Sequence, residues 1–255
     1  MTDFTDRGIL VTGGAGGIGL AIAQTFLDLG ATVALVDIDQ EALTERAAGL
    51  DAGDRVVTIQ GDVSDEQSVR EFVSRAVDAL GTIDVFCNNA GIEGPVGDLV
   101  DVDVADFDRV IGINLRGMFL GLKHVLPHMT GRGRGSVINT SSVAGLDGSA
   151  GLSPYIASKH GVTGLTKAAA LEVASTGVRV NSIHPSPVNT RMMRSIEAGG
   201  GNAEAQRQAF ESGIPVGRYG EPTDIANLVA FLGSDESSFI TGAQYRVDGG
   251  MGAGQ

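Results

Sequence analysis

The chain has 255 residues, 42% of them apolar and 19% charged, and 18 basic against 31 acidic side chains leave a net charge of −13. That composition belongs to soluble globular chains, and the acidic excess repels phosphate backbones and anionic bilayers, which argues against nucleic-acid and membrane partners. A single cysteine, Cys87, excludes an internal disulfide, and its place at the end of an apolar run reads as a small buried hydrophobe.

The first residues enter an apolar run almost at once, with no basic stretch ahead of a leader-like core, so the cytoplasm is the expected location. Seven short apolar runs read as strands, at residues 8–12, 32–37, 55–60, 83–88, 135–141, 177–183 and 245–248. Helical spacing fills the intervals at 18–29, 68–80, 107–129, 153–175 and 223–233. Such alternation predicts a parallel sheet, because parallel neighbours need a crossover and right-handed crossovers put helices on both faces. The expectation is one α/β domain over residues 1–255, doubly wound in three layers. One segment breaks the rhythm, from about 186 to 215, and its glycines Gly199, Gly200 and Gly201 suggest a mobile lid.

The turn TGGAGGIG, from Thr12 to Gly19, follows the first strand and opens a helix. Residues without Cβ let backbone approach a pyrophosphate there, and a helix N-terminus supplies free N–H groups and partial positive charge. Two registers are open: Gly14, Gly16 and Gly19 fit the general fingerprint, while Gly13, Gly17 and Gly19 fit a wider spacing. An ordinary glycine-rich turn loses ground because the second strand ends in Asp37, close to the roughly 20-residue interval at which an acid accepts from ribose hydroxyls. That carboxylate repels a 2′-phosphate, so the cofactor expected is NAD. Asp37 as a mere helix cap is the competing reading, a role Asp39 fills equally well. Asp62 and Val63 fit an adenine-edge contact, and an aspartate there serves a turn equally well. NNAG, with Asn89, Ala90 and Gly91, reads as a small-residue turn under the adenosine half that also ties strands together.

Tyr155 and Lys159 stand one helical turn apart, on one face. A phenol is a poor base near neutrality unless a cation stabilises its anion, and hydride transfer needs a partner that moves a proton on the substrate oxygen. Ser142, after the fifth strand, is placed to hydrogen-bond that oxygen, whereas Ser141 reads as structural. Asn114 interrupts an apolar helical stretch, where a buried amide needs partners and can bind a water.

Together these residues resemble the short-chain dehydrogenase/reductase family over almost the whole chain. The resemblance implies a seven-stranded Rossmann fold and a tetrad of Asn114, Ser142, Tyr155 and Lys159. Tyr155 would be the general acid/base, Lys159 would lower its pKa and bind the nicotinamide ribose, Ser142 would orient substrate and Asn114 would hold a relay water. It also places Gly13, Gly16, Gly17, Ile18, Gly19, Asp37, Ile38, Thr140, Pro185, Val188 and Thr190 at the cofactor. The family's Pro-Gly after the sixth strand is here Pro185-Ser186, a departure. A homotetramer, or a dimer, is implied.

The expected partner is a small secondary alcohol or its ketone, in a mostly apolar pocket of Val143, Leu146, Leu152, Pro187, Val188, Met192, Met193 and Ile196, with Glu93 read as a surface charge. A carrier-protein ketoacyl reductase and a non-catalytic NAD sensor are the alternatives; Asp37 argues against the first and the tetrad against the second.

Overall fold

The apolar runs form seven strands: β1 Gly8–Thr12, β2 Thr32–Asp37, β3 Val56–Gln60, β4 Val85–Asn88, β5 Gly135–Thr140, β6 Val178–Pro185 and β7 Gln244–Val247. All pair in parallel, in the order β3-β2-β1-β4-β5-β6-β7. This is a computed structural model, and it describes residues 3–199 and 201–253; Gly200 of the expected lid lies outside the described residues.

Alternate residues of each strand face opposite layers, the period-2 geometry of a sheet buried on both sides. Ile9, Val11, Val33 and Leu35 join a core beneath helices α1 (Gly17–Asp28) and α9 (Pro222–Gly233), while Leu10, Ala34, Val36 and Phe86 pack on the other face. That second face is covered by α3 (Glu66–Leu80), α5 (Gly117–Arg132) and α6 (Ser153–Val173). Cys87 is fully buried in the first core, which pushes its thiol pKa up and leaves it inert, in line with the sequence reading.

Three helical segments differ from expectation. Helix α2, Gln40–Ala48, buries only Leu43, so its apolar signal is too thin to read; Asp39 caps it by accepting from the Ala42 N–H at 3.0 Å. The continuous helix expected over 107–129 is α4, Val104–Ile111, then a π-helical turn, Gly112–Arg116, then α5. The segment expected as a lid contains two helices, α7 (Arg191–Gly199) and α8 (Ala203–Ser212), around a small core of Met193, Ile214 and Tyr219 with Ile196, Phe210 and Met251. Beside that core the Glu197 carboxylate, 3% exposed, is gripped by Arg194 Nη1 at 2.8 Å to each oxygen.

Strand order reverses between β1 and β4, and the crevice outside the carboxyl ends at that point is where a ligand enters a doubly wound sheet. No helix among the described residues is long and apolar enough to cross a membrane.

Candidate active site

The turn between β1 and α1 is built so that backbone, not side chain, faces the crevice. Gly13 has φ +69°, and a Cβ on Gly19, a glycine common to both spacings, would stand 2.2 Å from the Gly13 carbonyl oxygen, so those two glycines lock together. A Cβ on Gly16 would meet only the same oxygen, at 3.2 Å. Gly16 is the N-cap of α1 and no side chain caps it, which leaves the first N–H groups directed outward. Ile18 packs beneath, against the core. A Cβ on Gly17 would press on Thr190 Cγ2 at 3.2 Å, so the chain leaving β6 closes over the start of α1.

Asp37 belongs to this turn as well as to β2. Its Oδ2 accepts from the Ala15 N–H at 3.0 Å, and Ile38 beside it is 63% exposed. Asp62 is a turn residue, with Oδ1 accepting from the Ser64 N–H at 2.8 Å and its hydroxyl at 2.7 Å, and Val63 packs towards Gly117. NNAG stitches three strands: the Asn89 and Ala90 N–H groups donate to Thr12 Oγ1 at 2.9 and 3.2 Å, and Thr140 Oγ1 donates to Asn89 Oδ1 at 3.2 Å. A helix N-terminus without a side-chain cap, a tight turn of glycines, and a carboxylate on that turn together fit a dinucleotide.

The reacting groups converge at the neighbouring end of β5 and on α6. Lys159, 3% exposed, donates from Nζ to the Thr140 carbonyl at 2.8 Å and lies 5.5 Å from the centroid of the Tyr155 ring. Burial lowers its pKa to about 8. Burial acts the other way on Tyr155, raising its pKa; a hydrogen bond with Ser142 pulls it down and the charge of Glu93 pushes it up. In the free protein the net direction is upward, so the lowering by Lys159 that the sequence led us to expect does not dominate there. Ser141 is structural as read, donating to the Lys159 carbonyl at 3.0 Å.

Asn114 sits in the π-helical turn and is wholly buried. Its Nδ2 donates to the Ile92 carbonyl at 2.8 Å and to Ser158 Oγ at 3.1 Å, while Oδ1 accepts from the Ile92 N–H at 2.8 Å. Both amide hydrogens therefore bond to protein. The side chain fixes the loop after NNAG, and with it Glu93, which is half-buried and close enough to act on the Tyr155 phenol rather than being a plain surface charge.

A family model described as enoyl-(acyl carrier protein) reductase matches residues 13–252. A levodione reductase of Leifsonia aquatica is 43% identical over 99% of this chain and 96% of its own length. The chain belongs to the short-chain dehydrogenase/reductase family. A cyclohexanol dehydrogenase of an Acinetobacter species, another relative of this dehydrogenase/reductase, is 37% identical over 96% of the chain and 95% of its own. Among crystal structures, a levodione reductase superposes with TM-score 0.94 at 41% identity, covering 99% and 100% of the two chains. An NAD+-bound xylitol dehydrogenase does so with TM-score 0.92 at 34% identity, covering 97% and 99%.

Within this short-chain dehydrogenase/reductase the departure at Ser186 is benign. It is absent from the residues with positive φ, and its N–H donates to the Val247 carbonyl at 3.2 Å, an ordinary strand-edge bond any residue can make. Pro185 ends β6. The expected pocket is only partly realised: Val143, Leu146, Leu152, Pro187 and Met192 are partly buried at the carboxyl end. Val188 is instead part of the main core, and Met193 and Ile196 turn into the small core they share with Ile214 and Tyr219. Two groups that sequence reading missed lie behind the site. His184 is fully buried under Ser142, and Arg246 makes a bidentate pair with Asp147, at 2.7 and 2.9 Å. The second pair spans 99 positions, beyond the reach of any local pattern.

Proposed function

We propose that this enzyme is an NAD(H)-dependent dehydrogenase of secondary alcohols, hydrophobic and cyclic ones included, and a reductase of the matching ketones. The observation that carries the reading is the meeting of Ser142, Tyr155 and Lys159 beside a glycine turn on which Asp37 is itself hydrogen-bonded. When bound, the dinucleotide supplies hydride transfer at C4 of its nicotinamide. Gly13, Gly16, Gly17, Ile18 and Gly19 hold the pyrophosphate end. Asp37, Ile38, Asp62 and Val63 hold the adenosine, with Asn89, Ala90, Gly91 and Thr140 beneath it. Pro185, Val188 and Thr190 hold the carboxamide.

The chain's own work is to move one proton. In reduction the neutral Tyr155 phenol gives its proton to the carbonyl oxygen; in oxidation the phenolate takes the hydroxyl proton. Ser142 donates to the same oxygen and steadies its charge, and the Lys159 ammonium, next to the ring, favours the phenolate and holds the nicotinamide ribose. Asn114 positions the loop that carries Glu93 and leaves one Oδ1 lone pair for a relay water. Residues 186–215 act as the lid, with Val143, Leu152, Pro187 and Met192 shaping the substrate side. The protein is cytoplasmic and a homotetramer; exposed apolar side chains on α4, α5 and α6, namely Phe107, Phe119 and Leu171, fit contact with further copies.

A carrier-protein reductase would use the same machinery, but a net charge of −13 opposes an acidic carrier. Initial rates with NAD and with NADP against cyclic and aromatic secondary alcohols test the reading. Turnover that favours NAD by at least about tenfold is expected from Asp37. Preference for NADP, or none for either on the whole panel, overturns it.

A further inference from the structure

His184 is a buried imidazole that the mechanism above leaves without a task. It stands at 0% exposure near the end of β6, and both ring nitrogens are engaged. Nδ1 lies 2.8 Å from the Ser142 carbonyl oxygen and Nε2 lies 2.9 Å from Ser182 Oγ. A carbonyl only accepts, so Nδ1 carries the proton; Nε2 is then the acceptor and the Ser182 hydroxyl donates to it. The tautomer is fixed by its surroundings.

The carbonyl that His184 holds belongs to the residue whose hydroxyl meets the Tyr155 phenol. Its other acceptor site takes the Gly145 N–H at 2.8 Å. Both lone pairs of the Ser142 carbonyl are thus filled, one from its own turn and one from the neighbouring strand. The second bond is the one that ties the turn to the sheet. Ser142 Oγ itself is lightly held, accepting from the Ala144 N–H at 3.2 Å and lying 3.5 Å from the Pro185 carbonyl. The direction of that hydroxyl therefore follows from where its backbone is pinned. Burial, aided by the positive charges of Arg246 and Lys159 and opposed by Asp147 and the bond to Ser142, lowers the His184 pKa to about 4. The ring stays neutral near pH 7, which the acceptor role of Nε2 requires.

We propose that His184 is a positioning residue of the reaction: through Nδ1–H it fixes the backbone of Ser142, and so the hydroxyl that orients the substrate oxygen, with Ser182 setting its tautomer. The proposal rests on the assignment of Ser142 to the substrate oxygen. The role of His184 goes beyond stability, because the strand end it occupies is held without its side chain, by pairing of His184 and Pro185 with β7 and of the preceding residue, Ile183, with β5.

The test compares native protein with His184→Leu, His184→Asn and Ser182→Ala, using NAD and cyclohexanol. Asparagine places an amide N–H where Nδ1–H was; leucine keeps bulk and removes the donor. In His184→Leu, kcat falls about 10- to 100-fold, as misplacement by a fraction of an ångström does, while KM for NAD stays within about twofold. His184→Asn recovers kcat to within about fivefold of native. Equal loss in the two variants, undiminished kcat in His184→Leu, or a rise in KM for NAD alone overturns the proposal. Should His184→Leu not fold, Ser182→Ala decides: an intact fold with kcat lowered at least about twofold at constant KM for NAD supports the clamp, and unchanged kcat overturns it. Native turnover beside unaffected variants sinks the clamp and leaves the dehydrogenase reading standing. A native protein inert on every alcohol sinks both.

Discussion

Burying the Lys159 ammonium to 3% exposure lowers its pKa from the usual lysine range to about 8, so folding proceeds against the cost of desolvating a charge. The penalty is fully present below pH 8, where folded and unfolded chains both hold the proton. It fades as pH rises through the folded value towards that of a free lysine. Lys159→Met therefore stabilises the free protein at pH 7 by about 1–3 kcal/mol while abolishing turnover, and the gain shrinks by pH 10. Urea unfolding at the two pH values measures this, and a Met variant less stable at both contradicts it. Glu93 acts on the same centre from the other side. Its charge raises the Tyr155 pKa, so Glu93→Gln moves the rising limb of alcohol oxidation to lower pH and lifts kcat/KM at pH 7 by about threefold. A limb that stays in place denies Glu93 any contact with the reaction. Nothing in the sequence distinguishes this carboxylate from a surface one, because its placement depends on Asn114 gripping Ile92 from 22 positions away.

The elements divide by how much apolar surface each commits. Central strands buried on both faces advertise themselves as apolar runs, and the half-buried edge strands β3 and β7 still carry β-branched or aromatic residues, so all seven are legible, with ends shifted by at most two residues. Helix α2 buries one side chain, and helices α7 and α8 carry the sequences RMMRSIEAG and AEAQRQAFES, whose few apolar residues meet only once the chain has folded. The π-helical turn is illegible for another reason: it spans only the five residues Gly112–Arg116, too short for its shift of the helical face to stand out in an apolar stretch. The glycine turn is legible as a motif, but its register needs coordinates. Gly19→Ala places a Cβ 2.2 Å from the Gly13 carbonyl, whereas Gly16→Ala meets the same atom at 3.2 Å, which a shift of a few tenths of an ångström relieves. Gly19→Ala accordingly weakens NAD binding at least about tenfold or destabilises the chain by about 2 kcal/mol, and Gly16→Ala changes stability by less than about 0.5 kcal/mol. Isothermal titration and thermal unfolding check both, and equal effects would return the choice of register to doubt.

At the scale of the molecule, a charge of −13 coexists with apolar side chains left bare on adjacent helices, Leu171 at 84% exposure and Phe119 at 47%. Covering such faces with further copies would bury apolar surface, against the mutual repulsion of acidic chains. If the proposed tetramer forms, Leu171→Glu breaks it into smaller species by light scattering, and a native protein already monomeric at micromolar concentration contradicts that proposal. The remaining claim belongs to the whole fold, since the strand order, the glycine turn and the α6 tyrosine matter only if they meet in one reaction. Tyr155→Phe, assayed with NAD and a turned-over secondary alcohol while NAD affinity is measured in parallel, tests that meeting most directly. A fall in kcat of at least about 1,000-fold with NAD affinity within about threefold is the predicted result. Turnover that survives the loss of the phenolic oxygen would contradict the account.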